Sequence, residues 1–486
     1  MPSTLITPRS SYVAGRWIDN PDAKIVETRD PGRPDELVAR YALATADETH
    51  EAIAAATAAA PAFALTNAAE RSDLVYDFLR LWAGRQDELA DIATREMGKA
   101  RAESYGETSR VFFEARFWAG EALRGGGETF PSTRPNTDIR TVRQPIGPVA
   151  AITPWNFPIL TPVRKVVPAL VNGCPVLLKP AMQAPGATVI IAEILHELGL
   201  PKGVFSLLLG SGRETGSLLV ESPDIAGITF TGSTEVGLSI ATRAAARNAR
   251  TQLEMGGKNA AVVAEVEDID RVATEIIGAA FTASGQRCTS ISRVIVVPQV
   301  REALEQALAE KAQRYVVGHG LDEGTTMGPV VDRASFERSQ RYIAEAQANG
   351  ARLLTGGAVP DPSGDSGYFV PPTVLTDVAP GSPLAVNEVF APVLAVIPVA
   401  DIDEAIAVTN ETQYGLTASV FADDGSVARR VAMESRSGMV HINHGTVSEG
   451  HIPFGGVAQS GQGAFGIGST STEFFTSLKV IYDQQP

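Results

Sequence analysis

The hydrophobic pattern of this 486-residue chain changes character three times. Residues 46–122 repeat apolar positions every three to four residues, as in A-D-E-T-H-E-A-I-A-A-A-T-A-A-A and R-S-D-L-V-Y-D-F-L-R-L-W-A. That period predicts helices. Between 124 and 145, three glycines (Gly125 to Gly127) lead into T-D-I-R-T-V-R-Q, an alternating strand pattern with nothing obvious to cover it, which suggests an arm. From 147 onward, short apolar runs such as G-P-V-A-A-I, P-V-L-L-K-P, V-F-S-L-L-L and I-A-G-I-T-F alternate with helical segments. Strands of that kind predict a parallel sheet covered on both faces. A second alternating block runs from about Asn259 to 440.

Composition narrows the function classes. Hydrophobic residues make up 44% and charged residues 20%, as expected of a globular chain with a large core. The net charge is −15 and no Lys/Arg stripe exists, which argues against a nucleic-acid partner. The start M-P-S-T-L-I-T-P-R-S-S-Y lacks a secretion signal, and the best apolar stretches are broken by Arg164 and Lys165 or by Glu265 and Glu267. No membrane span is expected. Two distant cysteines make no disulfide framework, which points to a cytoplasmic protein with free thiols. His441, His444 and His451 lack the partners of a ligand set, so no metal is expected.

Five short stretches carry candidate chemistry. F-T-G-S-T-E-V-G (Phe230 to Gly237) sits between a strand and a helix. Gly232 permits a tight turn, Ser233 or Thr234 can cap the helix, and the helix N-terminus suits a pyrophosphate. Alone, it is an ordinary capped turn. G-S-G-R-E-T-G (Gly210 to Gly216) misses the G-x-G-x-x-G spacing by one residue, although Gly212 could still border a cofactor. In L-E-M-G-G-K-N, burial would raise the Glu254 pKa toward that of a general base; the plain alternative is a surface Glu. Cys288, in S-G-Q-R-C-T, is either a nucleophile whose thiolate a cation or helix dipole stabilises, or a small buried hydrophobe; the latter suits Cys174 better. In P-W-N-F-P, after the first strand of the alternating block, the Asn156 amide can donate to an oxyanion or merely brace a turn.

Taken in order, P-W-N-F-P, L-L-K-P, F-T-G-S-T-E-V-G, L-E-M-G-G-K-N, G-Q-R-C, N-E-V-F-A-P-V and I-P-F-G-G resemble the successive motifs of the aldehyde dehydrogenase superfamily. The resemblance runs from about Tyr12 to F-F-T-S-L-K-V-I-Y at the C-terminus. It implies an α/β fold with a Rossmann-like cofactor domain (1–122 and 146–256), a catalytic domain (257–458), and an oligomerisation arm with a C-terminal strand (123–145 and 459–486). A homodimer or homotetramer follows. It also implies that Cys288 attacks an aldehyde to give a thiohemiacetal, with the oxyanion held by Asn156 and the Cys288 N–H. Loss of hydride to NAD or NADP leaves a thioester, and Glu254 activates the hydrolytic water. Lys165 matches a lysine linked to proton transfer. Cofactor contacts fall on Thr153, Trp155, Lys179, Met182, Gly212, Phe230, Gly232, Ser233, Met255, Glu388 and Phe390. Substrate contacts fall on Phe157, Arg164, Arg287, Thr289 and Phe454.

Two departures from the family pattern matter. Phe465 stands where many members carry an acid, and Met182 replaces the carboxylate of K-x-x-E in K-P-A-M. A carboxylate there would repel a 2′-phosphate, so its loss implies NADP acceptance. The Arg164–Lys165 pair resembles semialdehyde-oxidising members. Arg164 would bind a substrate carboxylate, or else pair with a protein carboxylate. Thr282 stands where succinate-semialdehyde members place a second Arg. The longer 2-oxoglutarate semialdehyde is therefore favoured, with a broad aldehyde range as the alternative. A CoA-acylating relative would lack Glu254, a thiol esterase would leave the cofactor motifs idle, and a structural protein would not need Cys288.

Overall fold

The computed structural model describes residues 7–124 and 126–485; the first six residues, Gly125 and Pro486 lie outside it. The helical period of 46–122 resolves into four helices, Ala46–Ala64, Ala68–Trp82, Gln86–Met97 and Arg101–Glu121. The first starts with a capping box, in which Thr45 and Glu48 satisfy each other's backbone N–H groups.

Two sheets organise the rest. In an eight-stranded sheet the parallel centre runs Arg250–Glu254, Gly227–Thr231, Val149–Thr153, Val176–Pro180, Phe205–Leu207. Antiparallel strands edge it on both sides: Gly461–Gln462 on one, Tyr12–Val13 and Arg16–Trp17 on the other. The seven-stranded sheet is parallel except for the pair Arg352–Thr355 and Thr373–Thr376; its order ends Ile291–Val296, Asn259–Val263, Thr417–Phe421, Met439–Ile442. The central strands of both are almost wholly buried, as their unbroken apolar runs require.

The unpartnered strand pattern near 140 finds its partner at the other end of the chain. Thr137–Pro145 pairs antiparallel with Thr476–Gln484 over nine residues of register. Within residues 459–475, grouped with the arm in the sequence, Gly461 and Gln462 pair with Glu254 and Leu253 at the edge of the eight-stranded sheet, Phe474 and Phe475 are buried in its core, and Ile467 packs with Leu416 and Phe454. Alternation could not separate these pieces, because both read as short mixed segments.

Candidate active site

A cleft of about 380 Å³ opens where the two sheets meet. The eight-stranded sheet faces it with strand C-terminal ends: Trp155, Asn156 and Phe157 follow the strand ending at Thr153, Gly232 and Ser233 follow Thr231, and Glu254 closes its own strand. Such ends are where open α/β sheets take ligands. The other sheet supplies loops leading into strands, with Arg287, Cys288 and Thr289 before Ile291–Val296, and Glu388 and Phe390 before Val393–Pro398. Met255, Arg164 and Phe454 complete the expected residues in the cleft wall.

Cys288 is held by an unusual turn. After the helix Ile269–Phe281, the chain passes through Ala283, Ser284 and Gly285 at φ of 54°, 57° and 69°. Left-handed backbone at two non-glycine residues is costly and needs outside support. Glu103 Oε1 accepts the Ala283 N–H at 2.7 Å, and the Ser284 hydroxyl donates to Gly328 O at 2.8 Å. Beyond the turn, Asn259 Nδ2 donates to Cys288 O at 2.7 Å and to Ser290 O at 2.8 Å. The Cys288 carbonyl is thereby turned away, and its N–H makes no hydrogen bond among the described residues.

Asn156 is fixed from both ends. Its Nδ2 donates to Gln286 O at 2.9 Å, which leaves the second amide hydrogen for a ligand. Its backbone carbonyl accepts from Lys99 Nζ at 3.2 Å. Lys99 is in turn ion-paired with Glu107, both side chains being buried, and its Nζ lies 4.7 Å from the centre of the Phe157 ring. Glu107 Oε1 also accepts the N–H groups of Ile159 and Leu160, at 2.9 and 2.7 Å. These are orphan donors at the start of the helix Leu160–Val171. One buried ion pair therefore sets the whole P-W-N-F-P loop.

The electrostatics partly overturn the sequence expectation for the thiol. Arg164 and Arg287 pull the Cys288 pKa down, but burial, then Glu254 and Glu388, outweigh them and push it up to about 12. Burial raises the Glu254 pKa; Lys165, Arg164 and the Gly466 backbone N–H oppose that shift without reversing it, and among the described residues no side chain hydrogen-bonds its Oε1. A buried carboxyl so weakly satisfied is poised as a base rather than fixed as structure. Lys165 lies behind the wall, its pKa lowered to about 8 by burial, and donates to the Thr229 hydroxyl at 2.9 Å. Thr229 passes the chain to Gln252 Oε1 at 2.9 Å.

The cofactor end of the cleft suits a dinucleotide. No side chain caps the helix Thr234–Ala245, contrary to the capping expected of Ser233 or Thr234; the Thr234 hydroxyl goes instead to Gln459 O at 3.3 Å. Among the described residues the first N–H groups of that helix take no partner, and they lie beside Gly232, where a Cβ would come within 2.5 Å of the Phe230 ring. Glu388 keeps one oxygen on the Gly257 N–H at 3.0 Å and burial raises its pKa to about 7. Phe390 meets Trp155 edge-on at 5.6 Å between ring centroids. Thr153, Phe230, Lys179, Met182 and Gly212 do not line this cleft. Lys179 is buried, with a pKa lowered to about 8 by burial, and donates to Pro180 O at 2.8 Å. Gly212 opens a short turn that is exposed at its start and buried at Thr215 and Gly216, where a Cβ at Gly216 would lie 3.8 Å from Lys179 Cδ. Met182 is half-buried against the apolar core.

At the substrate end, Arg164 donates Nε and Nη2 to Glu114 at 2.7 and 2.6 Å, a bidentate fork with a protein carboxylate. It nevertheless lines the cleft, so the two readings offered for it are not exclusive. Arg287 gives Nη2 to Ala279 O at 2.7 Å. Sequence reasoning did not find Arg110, Arg338 or Ser448 in the wall, nor the supports Lys99, Glu103, Glu107 and Asn259. Asn259 belongs to a quoted motif, but the others carry no local signal. Glu103, for instance, reaches its partner across 180 positions.

A sequence model described as "Aldehyde dehydrogenase family" matches residues 17–481. The chain belongs to the aldehyde dehydrogenase family. Its fold is the family's α/β fold, and its reaction class is oxidation of an aldehyde to the acid with NAD or NADP, as the resemblance implied. It is 38% identical to an alpha-ketoglutarate semialdehyde dehydrogenase of Haloferax volcanii over 479 residues, covering 98% of this chain and 99% of that one. It is 34% identical over 458 residues to an NADP(+) succinate-semialdehyde dehydrogenase of Escherichia coli, covering 94% of each. The crystal structure of betaine aldehyde dehydrogenase from Staphylococcus aureus in complex with NAD+ matches with a TM-score of 0.94 at 30% identity, covering 98% of this chain and 94% of that one. Among the described residues, no group of three His, Cys, Asp or Glu could hold a metal, and no helix is long and apolar enough to cross a membrane.

Proposed function

We propose that this family member oxidises an aldehyde whose far end carries a carboxylate, 2-oxoglutarate semialdehyde before succinate semialdehyde. The observation that carries the reading is the charge of the substrate end: Arg110, Arg164 and Arg287 line it, Arg110 and Arg164 share one carboxylate, Glu114, and Arg287 is paired with none among the described residues. A surplus of guanidinium in a partly buried cleft favours an anionic ligand. Semialdehyde dehydrogenases among the relatives support the same class. In this reading Cys288 is the nucleophile, and Asn156 Nδ2 and the Cys288 N–H hold the oxyanion. Glu254 takes the proton of the hydrolytic water, with Lys165 beside it. Gly232, Ser233 and Glu388 would hold NAD or NADP, which would supply the hydride acceptor.

The apolar walls Phe157, Leu160 and Phe454 favour a second reading, a broad range of uncharged aldehydes. Initial rates with a panel of four- and five-carbon semialdehydes and their uncharged counterparts, each with NAD and NADP, separate the two. The first reading expects kcat/KM at least tenfold higher for carboxylated substrates. Equal values would favour the second. We further propose a cytoplasmic homo-oligomer joined through the strand Thr476–Gln484, an edge strand that exposes Leu478, Val480 and Tyr482 on alternate positions.

A further inference from the structure

The proposed substrate class leaves one difficulty, since the second arginine that a short semialdehyde calls for is replaced by Thr282 and Arg164 is already forked to Glu114. We infer that Arg110, on the helix Arg101–Glu121, is the second anchor, and that it takes the terminal carboxylate of a five-carbon semialdehyde. This inference rests on the semialdehyde reading and adds a residue to it.

The geometry favours Arg110 in three ways. It lines the same cleft as Cys288. Its Nη2 donates to Ser448 O and Oγ at 2.9 and 2.8 Å, which fixes the guanidinium plane. Its Nη1 and Nε make no hydrogen bond among the described residues. Glu114 Oε1, the oxygen that Arg164 uses at 2.6 Å, lies 3.7 Å from Arg110, so one carboxylate holds two guanidiniums side by side. Together they keep a net positive charge that a ligand can neutralise. Depth distinguishes the pair. The Arg164 side chain retains 17% of its surface and that of Arg110 42%, so Arg110 stands nearer the opening. A longer substrate reaches the outer arginine, while Arg164 is left for a shorter chain or for the 2-oxo group.

The alternative is that Arg110 only tethers the loop Thr446 to Ser448, whose other end is fixed by the Thr446 hydroxyl donating to Thr289 O at 2.7 Å. The test therefore compares Arg110→Met, Arg110→Lys and Ser448→Ala with wild type. Steady-state kinetics use a five-carbon semialdehyde, a four-carbon semialdehyde and pentanal. The inference expects Arg110→Met to raise KM for the five-carbon semialdehyde roughly tenfold or more, the loss of one charge-assisted contact, with kcat little changed. The four-carbon semialdehyde should lose less, pentanal should be unaffected, and Arg110→Lys should recover part of the loss. Ser448→Ala should not reproduce the selectivity. If Arg110→Met does not fold, a selective but smaller KM rise in Arg110→Lys carries the same evidence. Equal effects on pentanal and the semialdehydes, no effect on either, or an identical Ser448→Ala phenotype would overturn the inference. If wild type itself does not prefer carboxylated substrates, the functional reading falls. If it does and Arg110 variants keep that preference, only the inference falls.

Discussion

Gly466 stands so close to Glu254 that a Cβ at position 466 would lie 2.5 Å from Glu254 Oε1. The glycine follows Phe465, which occupies the position where many family members carry an acid. The segment thus gives Glu254 room and supplies no carboxyl of its own. Gly466→Ala should displace the Glu254 carboxyl and slow thioester hydrolysis at least tenfold while sparing acylation. Rapid mixing should then show a burst of about one reduced cofactor per site followed by slow turnover, as expected also for Glu254→Gln. Unchanged steady-state rates in both variants would remove Glu254 as the base.

The raised pKa of Glu254 has a definite sign. The base works deprotonated, so the hydrolysis rate should fall as pH drops through that raised pKa. Lys165 acts in the opposite direction, its positive charge lowering the Glu254 pKa. Lys165→Met should therefore move the acidic limb of the pH–rate profile to higher pH. A limb that stays in place, measured under deacylation-limited conditions, would show that Lys165 does not sense Glu254.

Access, not acidity, separates the two cysteines: burial raises both pKa values, but Cys288 lines the cleft. Cys174 is fully buried, donates to Phe475 O at 3.2 Å, and burial raises its pKa to about 11. Iodoacetamide should label Cys288 alone in the folded protein, as read by peptide mass mapping. Cys288→Ala should abolish turnover; Cys174→Ala should keep most of it at a stability cost of about 1 kcal/mol. Because the Glu254 charge raises the Cys288 pKa, Glu254→Gln should speed alkylation of Cys288 at neutral pH.

Lys99 and Glu107 were invisible in the sequence, and for a physical reason. They lie eight positions apart across a break between helices, and their meaning arises only when Glu107 reaches the backbone at 159 and 160. The same holds for Glu103 at the strained turn. By contrast, Cys288, Asn156, Glu254 and Glu388 were legible because each sits in a contiguous motif at a strand end or on the loop entering a strand. The period of apolar residues likewise revealed the alternating strands, but not which late segments pair with which sheet, since strand partners are chosen by long-range packing. Lys99→Met would leave Glu107 buried without its cation. It should cost roughly 3–5 kcal/mol in denaturant unfolding and weaken catalysis through Asn156. A variant with wild-type stability would mean that the pair is not the brace described.

Cofactor choice tests the role of Met182, half-buried outside the cleft. Met182→Glu should shift the NADP/NAD ratio of kcat/KM toward NAD by roughly tenfold, through repulsion of the 2′-phosphate. No shift would indicate that the adenosine ribose lies elsewhere.

The loop from Gly256 to Asn259 touches both halves of the chemistry. Gly257 gives its N–H to Glu388, a Cβ at Gly257 would lie 2.7 Å from Cys288 O, and Asn259 grips that same carbonyl. Two ligands that bear on one stiff segment cannot bind as strangers. Reciprocity requires that whatever factor nucleotide binding imposes on the affinity of Cys288 for an aldehyde, a reversible thiol adduct imposes on nucleotide affinity. Gly256 to Asn259 would then act as a two-ligand balance, with aldehyde and nucleotide affinities coupled through four residues of backbone.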